Sequence, residues 1–383
     1  MSAAPRVLVA GAVLGQPMGG VRRHNVELLP RAARLLAERG GGLSILAGRE
    51  PLPPSLEALA LVASDVPPSP PWRRARAESA AVRRALADGL AVDLFHAGHL
   101  PLARVELPTT LTLHDLRDLE LPARSLVRRL AAPHVLRAAL RRARTVITVS
   151  ETVRRSILAR APGQRVVLVP NAADHLRVLE RVAGARSKGP LLHVGHVEPR
   201  KNLALLLRAL ALDETLGRLV LAGAPKHGED ERLRLLARSL GVEPRVAFLG
   251  AVSDERMGEL LASASCVVLP SSLEGFGIGV LEAQRAGVPL AVSTAGALRE
   301  VAGDDVPSFA PDDPAAAAHA IRAARDTPDA TLAARAERAA RFSWDRSAGL
   351  LVDAWCTASV TFLHLRGDGT GESTAQVRVE ESD

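Results

Sequence analysis

Two glutamates eight residues apart, Glu274 and Glu282, bracket three glycines in the stretch Pro270-Ser-Ser-Leu-Glu-Gly-Phe-Gly-Ile-Gly-Val-Leu-Glu282. A carboxylate accepts two hydrogen bonds side by side, so Glu282 is a candidate for a ribose diol and Glu274 for sugar hydroxyls or a reacting carbon. Gly275, Gly277 and Gly279 let the chain between them turn its N–H groups outward at a helix N-terminus, which suits a diphosphate or a sugar oxygen. Arg200 and Lys201 are a second candidate group. A guanidinium fork and an ammonium point charge side by side before a helix make a diphosphate site. The third is His114-Asp115, an imidazole able to donate or accept near neutral pH with a carboxylate to orient it. Each has a plainer reading: a strand-to-helix turn with solvated glutamates, exposed cations, or a structural histidine. A glycine loop alone is a weak signal.

The elements that must carry these residues follow from periodicity. Short apolar runs at Arg6–Ala10, Leu43–Ala47, Val92–Phe95, Thr109–Leu113 and Thr145–Val149 alternate with arginine-studded helical stretches, the pattern of a parallel sheet covered on both faces. A second set starts at Leu191–Gly195 and continues with Leu219–Gly223, Val246–Gly250 and Cys266–Leu269. His114 then ends a strand, while Arg200 and Glu274 lie in the loops just past two others, at the carboxyl edge where such sheets bind ligands. The first strand opens into Gly15-Gln-Pro-Met-Gly-Gly20 and a helix, without the spacing of a P-loop or a G-x-G-x-x-G. Gly19, Gly20 and the adjoining Arg22 and Arg23 become candidates. His96 and His99 are weaker candidates on the same rim. Ser150 suits a helix cap, and the proline-rich stretch Val66–Pro71 a surface loop. Residues 172–189 read as a linker, the chain beyond Gly303 reads as helical, and the polar stretch from Gly367 reads as disordered.

Composition bounds the partners. With 383 residues the chain is long enough for two ordinary domains. Cys266 and Cys356 are the two cysteines, so neither a disulfide framework nor a cysteine zinc site is expected, and a reducing cytoplasm fits. The apolar stretch Val7–Leu14 is too short and too glycine-broken for a signal peptide or a membrane span. Residues 1–184 hold 27 Arg and 15 acidic residues, whereas the remainder holds 22 basic and 27 acidic ones. The basic half should face something anionic. Its most basic piece, residues 123–144, carries seven arginines and no acid with leucines at helical spacing, and suits either an anionic lipid surface or plain solvation. There are 46 Arg and three Lys in all, so the lysine at position 201 is unusually informative.

The spacing Glu-Gly-Phe-Gly-(x)4-Glu resembles the paired-glutamate motif of the retaining nucleotide-sugar glycosyltransferases of family 4. The flanks Val267–Ser272, Ala286–Ser293 and Leu298–Ala302 resemble that family too, as do His196–Asn202, the Gly19-Gly20 loop, the His114-Asp115 pair and the turn Val169-Pro-Asn171. It departs at Ile278-Gly279, usually Leu-Pro, at Ala172, usually Gly, and at His196, where many members place an arginine. The resemblance implies the GT-B fold: α/β, two doubly wound Rossmann-like domains facing across a cleft. The expected division is an acceptor-side domain at 1–184, a nucleotide-sugar domain at 185–342, a helix at 343–366 packing back on the first domain, and a tail at 367–383. The implied reaction moves a hexosyl group, with retention, from an NDP-sugar such as GDP-mannose or a UDP-sugar to an anionic or lipid-linked glycan acceptor. No nucleic acid and no bound metal are expected. His114, Glu274, Lys201 and Arg200 are the implied catalytic residues; Gly19, Gly20, His196, Gly275, Phe276, Gly277, Ile278 and Glu282 join them in binding the donor. Rival readings are a sugar phosphorylase or NDP-sugar epimerase on the same fold, a transferase acting on a small soluble acceptor, and a non-catalytic partner protein.

Overall fold

The structure is a computed structural model that describes residues 3–16, 19–120 and 126–367. Its framework is two parallel sheets. The first holds β1 (Arg6–Ala10), β2 (Gly42–Leu46), β3 (Ala60–Val62), β4 (Leu94–Ala97), β5 (Thr109–Leu113), β6 (Thr145–Thr148) and β7 (Val166–Leu168), in the order β3-β2-β1-β4-β5-β6-β7. The second holds β8 (Leu191–Val194), β9 (Leu219–Ala222), β10 (Val246–Gly250), β11 (Cys266–Leu269), β12 (Leu290–Ser293) and β13 (Ser308–Phe309), in the order β10-β9-β8-β11-β12-β13.

Side chains that alternate along each strand enter different cores, which is why these runs are mostly apolar or β-branched. In β1, Val7 and Val9 join one cluster with the helix Gly20–Glu38, while Leu8 and Ala10 join another with Phe95 and Leu111. In β11, Cys266 and Val268 pack beneath the helix Leu203–Leu212, whereas Val267 and Leu269 pack beneath the helix Ile278–Arg285. Both sheets reverse their strand order once, between β1 and β4 and between β8 and β11. Loops on the two sides of such a reversal diverge and leave a crevice at the carboxyl ends of the strands.

A final helix, Trp344–Gly367, leaves the second domain and returns to the first. Trp344, Leu351 and Trp355 are fully buried in the same cluster as Leu28, Leu29 and Ala32 of the helix Gly20–Glu38. Its start is tied to the stretch joining the domains: the Asp174 carboxylate accepts from the Trp344 N–H at 3.2 Å, and Ser347 Oγ donates to the Pro170 carbonyl at 2.7 Å. The joining stretch lacks strands, yet Ala172, Ala173 and Leu176 are buried in it, and residues 185–188 form one helical turn.

Three expectations change. The chain beyond Gly303 is not wholly helical, since β13 adds two residues to the sheet edge, too few to leave a periodic trace. The basic segment forms the helix Leu126–Arg142; among its described side chains Leu136, Ala139 and Leu140 are buried, and Arg142 turns inward to donate to the carbonyls of Leu102 and Ala103. Arg124 and the tail 368–383 lie outside the described residues, and Gly367 ends the last helix.

Candidate active site

Between the domains lies a cleft of about 850 Å³, within the usual range for small-molecule sites. Its second-domain wall is built at the sheet reversal. β8 runs into Gly195–Glu198 and a tight turn, Pro199–Lys201, which Asn202 ends in the left-handed conformation. The Asn202 side-chain amide donates to the carbonyls of Pro270 at 3.2 Å and Pro311 at 2.6 Å, locking this turn to the loop after β11. Two adjacent strands thereby deliver Arg200 and Lys201 to Glu274, 74 and 73 residues further along the chain.

Glu274 is buried there among cations. Lys201 donates to its Oε1, Arg200 reaches its Oε2 at 3.0 Å, and Ser271 Oγ donates to Oε1 at 3.0 Å. Burial would raise the carboxyl pKa, but Lys201 and Arg200 outweigh it and hold it at about 2. Arg200 has a second carboxylate, Glu198, at 2.7 Å. Burial works to lower the guanidinium pKa, and Glu274 and Glu198 together overcome it, so the net shift is upward. The glutamate assigned to sugar hydroxyls therefore also orders the two diphosphate cations. Glu198, which sequence reasoning left without a role, does the same from the other side.

Gly277 caps the helix Ile278–Arg285 in the left-handed conformation, and the helix N-terminus with Ile278 and Gly279 faces the cleft. Glu282, one turn in, lines the cleft and lies 3.4 Å from the His175 Nε2. Phe276 lines the cleft but is only 5% exposed, and its ring packs T-shaped against Phe342 with centroids 6.2 Å apart.

The first-domain wall comes from the loops after β1 and β5. His114 follows β5, and its imidazole packs edge-to-face on His24 with centroids 4.6 Å apart. Its Nε2 is buried without a hydrogen-bond partner among the described residues. Burial, helped by His24 and Arg117, pushes its pKa well below the ordinary value, so the ring is neutral at pH 7. His24 is fixed in turn by Asn171, whose Oδ1 lies 2.8 Å from its Nδ1. His24 was not singled out from the sequence and Asn171 only as the end of a turn, because only the fold places them behind His114.

The walls touch at glycines. Gly275 lies against the backbone of His114, where a β-carbon would stand 1.8 Å from the carbonyl oxygen. Gly19, with φ 57° and ψ −120°, leaves room for the His196 ring, which an added β-carbon would meet at 2.6 Å. Gly20 lies opposite Ile278. Arg23 forms an ion pair with Asp254, and the Glu300 carboxylate accepts from the N–H groups of Glu151 and Thr152 at 2.7 Å each, at the helix start that Ser150 caps. Every residue proposed from the sequence for donor binding or catalysis thus borders this cleft.

Two rim candidates do not. His96 is 3% exposed in the first-domain core, with its ring nitrogens on Thr110 at 2.9 Å and Thr112 at 3.3 Å. His99 pairs with buried Glu78 at 2.9 Å, away from the cleft. Strand alternation explains the first: His96 lies within β4, inward of the carboxyl edge. Lys226 is the reverse case. It lines the cleft from the loop after β9, and the scarcity of lysine that marked Lys201 would have marked it too.

Two parallel-sheet domains with a ligand cleft at both strand-order reversals define the GT-B architecture. The model for Glycosyltransferase Family 4 matches residues 18–177, and that for Glycosyl transferases group 1 matches residues 183–342. The chain belongs to the family 4-like glycosyltransferases. It is 33% identical over 239 residues to the O-antigen chain mannosyltransferase B of Escherichia coli, covering 57% of this chain and 62% of that one. It is 32% identical over 207 residues to the D-inositol 3-phosphate glycosyltransferase of Streptomyces scabiei, covering 48% and 46%. The chain thus spans less than two thirds of either relative. Among solved structures, Anabaena HepE in complex with UDP-glucose superposes with a TM-score of 0.65 at 20% identity, over 94% of this chain and 100% of that one, a likeness of fold.

Proposed function

We propose that the chain is a retaining hexosyltransferase that takes a sugar from an NDP-sugar, GDP-mannose or a UDP-sugar, and delivers it to a glycan or glycolipid acceptor in cell-surface assembly. The observation that carries the reading is the second-domain wall, where Arg200, Lys201 and the Gly277–Gly279 amides converge beside Glu282. Diphosphate would sit against the cations and the helix N-terminus, with the ribose at Glu282 and the sugar between Glu274 and His114. The bond from the anomeric carbon to the diphosphate oxygen breaks, an acceptor hydroxyl attacks from the same face, and its proton goes to the departing phosphate oxygen. Arg200 and Lys201 neutralise the charge that develops on that leaving group, so no bound metal is assigned to the step. Neutral His114 offers its unpartnered Nε2 to a sugar hydroxyl.

The two relatives support sugar transfer to an anionic or lipid-linked acceptor, since one is named for O-antigen and the other for inositol 3-phosphate. The neighbour bound to UDP-glucose supports a nucleotide-sugar donor. On the acceptor side the cleft presents Arg22 and Arg117, as an anionic acceptor would require. No helix among the described residues is long and apolar enough to cross a membrane. The basic excess of residues 1–184 supports a cytoplasmic chain that docks at the inner face of the plasma membrane. A thermal-shift screen of UDP-, GDP- and ADP-sugars, followed by transfer assays with the stabilising donor, tests this reading; no stabilisation by any of them would overturn it.

A further inference from the structure

The second-domain wall carries four basic side chains facing the cleft: His196, Arg200, Lys201 and Lys226. Arg200 and Lys201 are already bound to Glu198 and Glu274, so these two cations and two carboxylates together bring no net charge. Burial, then the nearby Lys226, pulls the His196 pKa to about 4, so its ring is uncharged at pH 7. A wall of this kind orders a diphosphate's hydrogen bonds without offsetting its charge. Lys226 differs from the others: among the described residues it has no carboxylate within ion-pair distance.

Its place is set by the backbone. The pairing of β8 with β9 continues past both strands, with the Gly195 N–H on the Ala222 carbonyl at 3.0 Å, the Val197 N–H on Ala224 at 3.0 Å and the Lys226 N–H on Val197 at 2.9 Å. Gly223 lies so close to Gly195 that a β-carbon would stand 1.9 Å from its carbonyl oxygen. The loop holding Lys226 is therefore bolted to the loop holding His196 and Glu198. Its amine is half-buried, and burial first, then Arg117, Arg200 and Lys201 against the opposing pull of Glu198, lowers its pKa. A cation stripped of water, crowded by other cations and lacking an anion gains when an anion arrives.

We infer that Lys226 is the third cation of the donor site and the one not already paired with a carboxylate, contacting a phosphate oxygen of the nucleoside diphosphate beside uncharged His196. This rests on the reading that Arg200 and Lys201 face the donor diphosphate.

Calorimetric titration tests it, using whichever of UDP, GDP and ADP the wild type binds best, its monophosphate and its nucleoside, on wild type, Lys201→Ala, Lys226→Ala and the double variant Lys226→Ala/His196→Arg. Lys226→Ala should weaken the diphosphate on the order of tenfold to a hundredfold, the scale of one charged hydrogen bond, and leave the nucleoside unchanged. The double variant should recover most of that loss, because an arginine at 196 restores a permanent charge at the neighbouring position. If Lys201→Ala loses the diphosphate and Lys226→Ala does not, the inference fails and the donor-site reading stands. If Lys226→Ala weakens the nucleoside as much as the diphosphate, Lys226 serves the base or ribose and the inference fails. If neither single variant changes diphosphate binding, both readings fail. Circular dichroism of each variant separates these outcomes from misfolding.

Discussion

The carbonyl oxygen of His114 lies against Gly275 of the opposite domain, where a β-carbon would come within 1.8 Å of it. The closed cleft thus depends on a hydrogen atom at position 275, and the side chain meant to face the sugar is the one whose backbone touches the glutamate loop. Gly275→Ala must hold the walls apart. Turnover should fall by roughly a hundredfold, the cost of displacing reacting groups by about an ångström. Each domain should keep its stability, and small-angle scattering should show a larger radius. Wild-type turnover in this variant would show that the contact plays no part in the reaction.

Glu274 holds two cations before any ligand arrives. Glu274→Ala should lose about 3–5 kcal/mol of stability without ligand, because Lys201 and Arg200 are left buried and under-compensated. Added nucleoside diphosphate should restore much of that loss by supplying the missing negative charge. Melting curves with and without nucleotide check this, and a smaller nucleotide-induced shift than in wild type would contradict it.

Glu282 lines the cleft one helical turn from the glycines and takes no part in the Arg200–Lys201 cluster. Glu282→Ala should therefore lose about 1.5–3 kcal/mol of affinity for free nucleotide, the scale of a charged hydrogen bond to the ribose. Glu274→Ala should lose no nucleotide affinity, gaining some from the uncompensated Lys201 and Arg200, and should lose turnover. Equal losses of nucleotide in both variants would remove the proposed division of labour.

Acid should destabilise the fold from near neutrality. Burial, first among the causes in each case, pulls His24 to about 4, His96 to about 3 and His193 to about 3, from an ordinary 6.5. Unfolded chains take up protons on these rings below about 6.5 and the folded protein does not, so their contribution is complete above that pH and is lost as pH falls towards 3–4. Glu274, held at about 2, adds a loss of the same sign below about 4.5. Denaturant unfolding between pH 7 and pH 5 should show a steepening decline, to which these three rings contribute at most about 4 kcal/mol per pH unit. A flat profile over that range would mean the three rings are not neutral in the fold.

Among the arginines of 123–144 whose side chains are described, membrane docking narrows to three; those of Arg124 and Arg128 lie outside the described residues. Arg129, Arg137 and Arg141 are exposed on the helix Leu126–Arg142, beside Leu130 at 63% exposure, while Arg142 is bonded inward. Reversing those three to Glu should abolish sedimentation with anionic vesicles at low salt, since each arginine near such a surface contributes about 1 kcal/mol. Nucleotide binding should be unchanged. If the wild type ignores anionic vesicles at low salt, a small soluble acceptor becomes the better reading.

Local pattern was enough for much of this molecule. The runs 6–10, 109–113 and 266–269 are strands with those same bounds, because a strand buried on both faces carries apolar or β-branched side chains at nearly every position over its short length. The glycine loop, the adjacent Arg200 and Lys201, and the His114 at a strand end were legible as chemistry because backbone freedom and charge are properties of single residues. What each group meets was not legible. Glu274 meets Lys201 because β8 and β11 are neighbours at the sheet reversal, and strand order leaves no mark on local periodicity. His96 and His114 look alike as histidines near strand ends, yet one lies within β4 and is buried while the other lies just past β5 and faces the cleft. Arg142 and Arg141 look alike as neighbours in a basic run, but only Arg142 reaches the carbonyls of Leu102 and Ala103. Such pairings depend on groups tens of residues apart being brought within a few ångströms, where charge interactions and desolvation are decided, and that distance exists only in the folded chain.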